Sequence, residues 1–360
     1  MRPRSGRARW ATAWWLVLAI AGAACGPQAA PAAERPPAPP VAAAAASPAA
    51  PAPARSLEPL KVAFAADSAV YAPMFIAIEK GYFAEEGLAI EIIKAGGGVA
   101  TPALMAGELQ YSTSAASALS AMLIGAPLKI IYTNADRTDY ELWSTTPEVR
   151  TLADVVGKTI GVQSRGDTME IAVRMALQQE GIDPDAVTYV SVGVGPQRLG
   201  AMEARSVAAV VLSVADATQA REAGIGGLRL SDIKHDVRMS WMGAATSDRE
   251  LLEHRERVQR FVRATAKARE YFRAFREESI DILTQYNQKP RSTNEVDYDG
   301  TLGLMTDDGS MAPEVQQRDA VVRAGLNGLT DVPRAEQMYD YSLIQGAYQE
   351  LRASGWKPTR

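Results

Sequence analysis

The chain has 360 residues, 47% hydrophobic and 22% charged, a balance that excludes a collagenous or wholly disordered protein and suits an appendage followed by a two-domain body. Four of its 38 Lys and Arg (Arg2, Arg4, Arg7 and Arg9) precede Cys25, so the remainder carries 34 basic against 42 acidic residues and has no charge reason to seek nucleic acid. Cys25 is the single cysteine, and His235 and His254 are the only histidines, in no metal-ligand pattern; this disfavours a redox or zinc enzyme, and no cofactor is expected.

Residues 1–9 are basic and residues 10–24 apolar, ending in small side chains, which is the layout of a secretory signal. About 15 apolar residues fall short of the roughly 20 that span hydrocarbon as a helix, so cleavage is expected in place of a permanent span. Gly22-Ala23-Ala24 before Cys25 resembles a bacterial lipobox, with Gly22 where leucine is usual. The resemblance implies lipidation of Cys25 within a 1–25 signal segment; plain cleavage nearby with a free cysteine is the alternative. Residues 26–56 hold nine of the 21 prolines and little that packs, so they read as an extended linker between membrane and body.

From Leu60, short apolar runs alternate with helical stretches, the pattern of βα units on a mostly parallel sheet. Strands are predicted over residues 60–65, 88–93, 109–112 and 128–132, with helices over 73–82, 101–106 and 115–124 between them, giving a first lobe of four strands. A second series opens near Tyr140, with strands over 159–162, 187–192 and 207–212. In the helix after Ser164, Met169, Ala172, Val173, Ala176 and Leu177 recur at steps of three and four, which buries one face. From Asp248 onward the chain reads as helical. The halves also match at a spacing of roughly 97 residues: the glycine loop at 96–98, the helix around Leu104 and the strand from Leu109 correspond to Gly193-Val194-Gly195, Ala201-Met202 and the strand from Val207. Two lobes on one plan are expected; βα units alike by pattern alone are the plain alternative.

Lys80-Gly81-Tyr82-Phe83-Ala84-Glu85-Glu86-Gly87-Leu88 resembles the "kGYF..eGL" segment of periplasmic binding proteins for aliphatic sulfonates, taurine and nitrate, and of the related thiamine-pyrimidine-precursor proteins. Gly96-Gly97-Gly98, Leu104-Met105-Ala106-Gly107-Glu108, Gly125-Ala126-Pro127-Leu128-Lys129, the run from Leu152 to Val162 and the run from Arg257 to Ala264 follow in that family's order. The resemblance implies an α/β type II periplasmic binding protein fold, with two lobes joined by two crossing strands and a ligand cleft that closes by hinge motion. The crossings are expected near residues 135–140 and 241–245. Lobe I would then take residues 57–138 and, mostly helical, 244–360, and lobe II residues 139–243. Where the family often has Asp in each half this chain has Gln110 and Ala208, with Arg205 in place of a usual Gly. The cysteine-rich motif of the family's thiamine-precursor enzymes has no counterpart.

The implied function is a non-catalytic solute-binding lipoprotein, a monomer, that hands a small polar or anionic organic ligand to an ABC permease and its ATPase subunit. The alternatives are a pyrimidine-precursor or cofactor-pathway enzyme on the same fold, or a membrane-tethered ligand sensor. Ligands of open α/β sheets sit beyond the carboxyl ends of the strands, so the candidates are residues that follow strands. Asp67, Ser68 and Tyr71 follow the first strand; Ser68 or Asp67 could equally cap the next helix. Gly97 and Gly98 read as a loop that lets backbone approach a ligand. Thr113 and Ser114 follow the third strand and serve either ligand or helix cap. Ser164, Arg165, Gly166, Asp167 and Thr168 join a strand to a lobe II helix, and Arg165 is the expected anchor for an anion, against a plain surface pair with Asp167. Arg137 and Asp216 are lesser candidates, and Trp143 and Trp241 either wall the cleft or pack a core.

Overall fold

The computed structural model describes residues 56–65 and 68–360. The expectations for Cys25, for nearly all of the linker and for Asp67 lie outside the described residues.

β1 (Glu58–Phe64), α1 (Ala72–Glu79), α2 (Tyr82–Glu85), β2 (Leu88–Lys94), α3 (Gly97–Ala106), β3 (Tyr111–Ser112), α4 (Ala115–Met122) and β4 (Leu128–Ala135) alternate as βα units, with β1 parallel to β2 and β3. The glycines expected in a loop are instead the first turn of α3: Gly96 is its extended N-cap, and Gly97 and Gly98 are helical. The first sheet has five strands and not the expected four. Its order is β2-β1-β3-β10-β4, where β10 (Met242–Ser247) returns late in the chain and lies antiparallel between β3 and β4. β10 reads Met-Gly-Ala-Ala-Thr-Ser, small residues without the branched apolar run that marks a strand, yet its last five residues are buried.

The second sheet is built from β5 (Tyr140–Ser144), β6 (Thr159–Val162), β7 (Thr188–Ser191), β8 (Ala209–Ser213) and β9 (Leu228–Ser231) in the order β7-β6-β8-β5-β9. Between them run α5 (Thr168–Gln179), α6 (Gly195–Glu203) and α7 (Val214–Glu222), and α8 (Ile233–Asp236) follows β9. β5 is antiparallel to both of its neighbours. Arg205 opens the turn before β8 at a φ of 53°, a left-handed conformation that suits the glycine usual there.

The rest is helical: α9 (Asp248–Glu253), α10 (Arg255–Ala274), α11 (Arg276–Asn287), α12 (Arg291–Leu302), α13 (Pro313–Leu326), α14 (Ala335–Met338) and α15 (Ser342–Ala353). Along α10, Val258, Phe261, Val262, Thr265, Ala268, Arg269 and Phe272 recur at steps of three and four and are buried. Phe261 stacks on Tyr111 of β3 with ring centroids 3.8 Å apart. About two turns further along that face, Arg269 is fully buried. Its Nε donates to the Tyr348 hydroxyl at 3.0 Å and its two terminal nitrogens to Asn134 and Thr306. Asn134 in turn donates from Nδ2 to Val70 O at 2.7 Å, which fixes the loop after β1.

α13 departs from the expectation that residues 244–360 belong to lobe I alone. Val315 at its start packs in the core under the first sheet, whereas Val322 and Leu326 at its end pack in the core under the second. On its buried face, Asp319 Oδ2 accepts from Ser240 N at 2.7 Å, and Arg323 donates to Ser240 O at 3.0 Å and to Asp319 Oδ1 at 2.7 Å.

Candidate ligand cleft

The first crossing, residues 136–139, runs from the carboxyl end of β4 to β5 and the second, residues 237–241, leads into β10; just past the end of β8, Val214 N donates to Asp139 O of the first crossing at 2.9 Å. The crossings are tied to each other. Met239 N donates to Asp136 O at 2.7 Å, and Arg238 Nε donates to the buried Asp136 carboxylate at 2.6 Å. Tyr140, where the first crossing enters β5, and Trp241, where the second enters β10, stand edge to face with centroids 6.1 Å apart. The two rings, inclined at 65°, cover the hinge side edge to face.

On the first sheet the helix starts are open. The 3-10 turn Ala69–Tyr71, α1, α3 and α4 begin at Ser68, Tyr71, Gly96 and Ser114, and none of these is capped by a side chain. Ser68 and Ser114 have the residue type of a cap without making its bond. Ser114 Oγ is buried with no partner, whereas Thr113 spends its hydroxyl on Ala63 O at 3.0 Å. Tyr71 is buried edge-on to Phe64, and burial pushes its hydroxyl up to about 12. A Cβ on Gly97 would stand 2.0 Å from Ser117 Oγ and 3.3 Å from Ser114 Cβ, so α3 and α4 start almost in contact and only glycine fits. Beneath these starts, the recess lined by Tyr71, Thr113, Asn134 and Met242 holds about 10 Å³, too little for an organic molecule.

On the second sheet the helix starts are filled by the chain's own acceptors. Asp167 caps α5, accepting from Glu170 N at 3.0 Å and Ser164 N at 2.9 Å, and fully buried Glu170 accepts from Gly166 N at 2.8 Å. Thr168 is the first residue of that helix. Arg165, expected to reach for an anion, donates to Tyr189 O at 2.8 Å and pairs through Nε with Glu170 at 3.0 Å, a different carboxylate from the Asp167 expected on sequence. Val194 N at α6 is taken by Gln197 Oε1 at 2.7 Å. Ser213 caps α7 by accepting from Asp216 N at 3.1 Å, and the Asp216 carboxylate accepts in return from Ser213 N at 3.3 Å and pairs with Arg198 Nη2 at 2.5 Å. A Cβ on Gly195 would meet Asp216 Oδ1 at 2.4 Å. Gly195 and Asp216 thus repeat the Gly97 and Ser117 approach of the other lobe, the predicted two-lobe plan seen in side-chain detail.

The first crossing holds two groups that stand out. Arg137 has a buried Nε without a partner. Asp139, which sequence reasoning missed, is pinned by Val214 N to its carbonyl at 2.9 Å, and its carboxylate receives a hydrogen bond from its own backbone. Burial raises that carboxyl to about 6; Asp216 and Asp297 push the same way, and Arg198 opposes them. Trp143 lies away from this wall, donating to Glu141 at 2.9 Å. A pocket of about 470 Å³ between Ser144, Arg150, Arg205 and Gly227 opens at the far edge of the second sheet, away from the crossings.

A carboxyl whose folded pKa exceeds its unfolded one holds a proton that the unfolded chain has lost. Its contribution therefore favours the fold below 3.8, weakens as pH rises to about 6 and is flat above. Two units would amount to about 3 kcal/mol; because water still reaches the group, about 1–2 kcal/mol is expected. Asp139→Asn should thus be more stable than the parent at pH 7.5 and equal to it at pH 4 in urea unfolding. A variant no more stable at pH 7.5 would refute this account of the carboxyl.

Residues 68–279, more than half of the chain, match the model of the family described as NMT1/THI5 like. A curated relative, the riboflavin-binding protein RibY of Chloroflexus aurantiacus, is 26% identical over 227 residues, which take in 60% of this chain and 62% of the relative's length. The periplasmic aliphatic sulphonate binding protein SsuA from Escherichia coli superposes with a TM-score of 0.64 at 16% identity, over 85% of this chain and 94% of that one. The periplasmic nitrate-binding protein NrtA from Synechocystis PCC 6803 does so with a TM-score of 0.59 at 15% identity, over 82% and 90%. These likenesses establish the periplasmic binding protein fold, two α/β lobes on mixed sheets.

Proposed function

The chain belongs to the NMT1/THI5-like family, and from that premise we propose that it is the extracytoplasmic solute-binding component of an ABC-type importer. It closes its lobes on a small polar organic molecule and delivers it to a membrane permease driven by an ATPase subunit. The observation that carries this reading is the pair of crossings tied by Asp136 and Arg238, with open helix starts on one side and an aromatic wall beside them. Ser68, Tyr71, Ser114, Arg137 and the first turn of α3 at Gly97 and Gly98 are the proposed contacts from lobe I and the hinge. On this reading residues 1–25 direct export, Cys25 carries the lipid anchor, and the monomeric body reaches its permease on the proline-rich spacer.

An enzyme on the same fold is the lesser reading. His235 has 69% of its side chain exposed on lobe II, which does not place it as a base in the cleft. The test is a thermal-shift screen of the purified chain against riboflavin, aliphatic sulfonates, nitrate, pyrimidines and aromatic acids. One compound at about 100 times its Kd should raise stability by about 2.7 kcal/mol. Turnover of that compound without added enzyme would instead favour catalysis.

A further inference from the structure

Neither the fold nor the cleft explains Arg205. It is one of two residues other than glycine with a positive φ among the described residues, at 53°. Arg205 N donates to Met202 O at 3.2 Å and Ser206 N to Ala201 O at 3.1 Å, so Arg205 closes the C-terminus of α6 in the left-handed position where glycine is unstrained. A guanidinium just past a helix C-terminus gains a little from the helix dipole, but a place in the last turn gives the same gain without the strain. Strain of this kind clusters at binding sites.

The Arg205 side chain lines the hollow of about 470 Å³ at the end of the second sheet farthest from the crossings. β5 runs from Tyr140 at the first crossing to Ser144 at the hollow, about 14 Å of strand, which separates this place from the cleft. Arg150 lines the same hollow. Both arginines are exposed, and neither side chain makes an ion pair or hydrogen bond with a described residue. Other arginines of this lobe are taken: Arg165 and Arg174 hold Glu170, Arg198 holds Asp216, and Arg229 holds Glu141. Further donors stand beside the pair, namely the N–H groups of Gly226 and Gly227 and the Thr146 hydroxyl, which meet no acceptor among the described residues. Glu203 is the one carboxylate on the lining; it is exposed and pairs with neither arginine. The walls are fixed. Thr145 Oγ1 donates to Met202 O at 2.7 Å, and Ser144 Oγ donates to Ala208 O at 2.6 Å while accepting from Thr146 N at 3.0 Å. A Cβ on Gly227 would run into the end of the Met202 side chain and stand 3.2 Å from Ser144 O, so the glycine loop lies against β5.

We infer that this hollow is a second binding site, distinct from the cleft, for a small dianion such as a diphosphate or a dicarboxylate. Arg150 and Arg205 each take one charged end by paired hydrogen bonds, and the amides of Gly226 and Gly227 with the Thr146 hydroxyl receive the remaining oxygens. A hollow of this volume holds a molecule of that size. The site goes beyond the solute-binding reading and does not rest on it.

Calorimetry on the full chain with inorganic pyrophosphate and with succinate tests it, with acetate as the one-ended control. At least one dianion should bind at least about tenfold tighter than acetate, and Arg150→Gln and Arg205→Gly should each weaken it about tenfold or more. Arg205→Gly separates binding from folding: it relieves the left-handed backbone, so without anion it should melt no lower than the parent while losing the ligand. Hydrogen exchange read by mass spectrometry should slow over residues 223–227 when the dianion is added to the parent, and not in the variants. Binding of pyrophosphate alone assigns a phosphate ligand, and binding of succinate alone a dicarboxylate. The inference is overturned if neither dianion binds, or if the parent and both variants bind it alike. It is also overturned if exchange slows over residues 97–98 and 113–115 instead, which seats the anion in the cleft and leaves the solute-binding reading standing.

Discussion

Replacing Arg269 with leucine should lower the unfolding free energy by about 3–4 kcal/mol and the melting temperature by about 6–12 °C in calorimetry. Two effects compete. A buried guanidinium is costly to desolvate, and among the described residues Arg269 pairs with no carboxylate, so on that ground alone a leucine of smaller volume relieves the fold. Against this stand the acceptors that the guanidinium satisfies. Asn134 O keeps Thr306 N at 3.0 Å, and Thr306 O keeps Arg273, but Asn134 Oδ1 and the Tyr348 hydroxyl lose their donor in a closed core. Two orphaned acceptors at about 1–3 kcal/mol each, together with the cavity left by the shorter side chain, outweigh the relief. The consequence reaches the cleft, because Arg269 sets which face of the Asn134 amide points at Val70 O and so holds the loop that carries Ser68 and Tyr71. Ligand affinity should fall along with stability. A leucine variant as stable as the parent would show that the desolvation cost dominates.

How much of this was legible depends on what each element advertises. β1, β2, β4 and β6 carry branched apolar runs and were predicted within a few residues of their observed spans. β9 reads Leu-Arg-Leu-Ser on an edge with half its residues exposed, and β10 is small throughout, so neither gives the alternation that marks a strand. The site was harder. Ser68 and Ser114 look like helix caps, Ser164 to Thr168 looks like an anion loop, and the fold exchanges the roles: the serines cap nothing, and the loop is closed by its own carboxylates. Residue type names a capacity for hydrogen bonding; which partner takes it is a tertiary fact. Asp139 gave no signal at all, since its raised carboxyl comes chiefly from burial, with Asp216 and Asp297 adding to it, and burial is a tertiary fact.

The same reasoning applied to the strap between lobes gives the largest effect expected for a single truncation. Arg323→Ala should cost about 3–5 kcal/mol, because it leaves Asp319 charged, fully buried and supported only by Ser240 N, and strips the donor from Ser240 O. Burial already raises the Asp319 carboxyl, with Arg323 opposing, so removing the arginine makes ionisation costlier still. The loss should therefore be larger at pH 8 than at pH 5, the sign expected when the folded state would rather keep a proton that the unfolded chain gives up. Replacing both partners, Asp319→Leu with Arg323→Met, removes the charge problem and should recover most of that stability. What the double variant does not recover is the grip on Ser240, the point where α13 holds the second crossing by both its N–H and its C=O. If that grip limits how far the lobes swing, the folded double variant should show a broader distribution of inter-lobe distances between paired spin labels than the parent, narrowing when ligand is added. An unchanged distribution in a stable double variant would mean that Asp136 and Arg238 alone set the hinge.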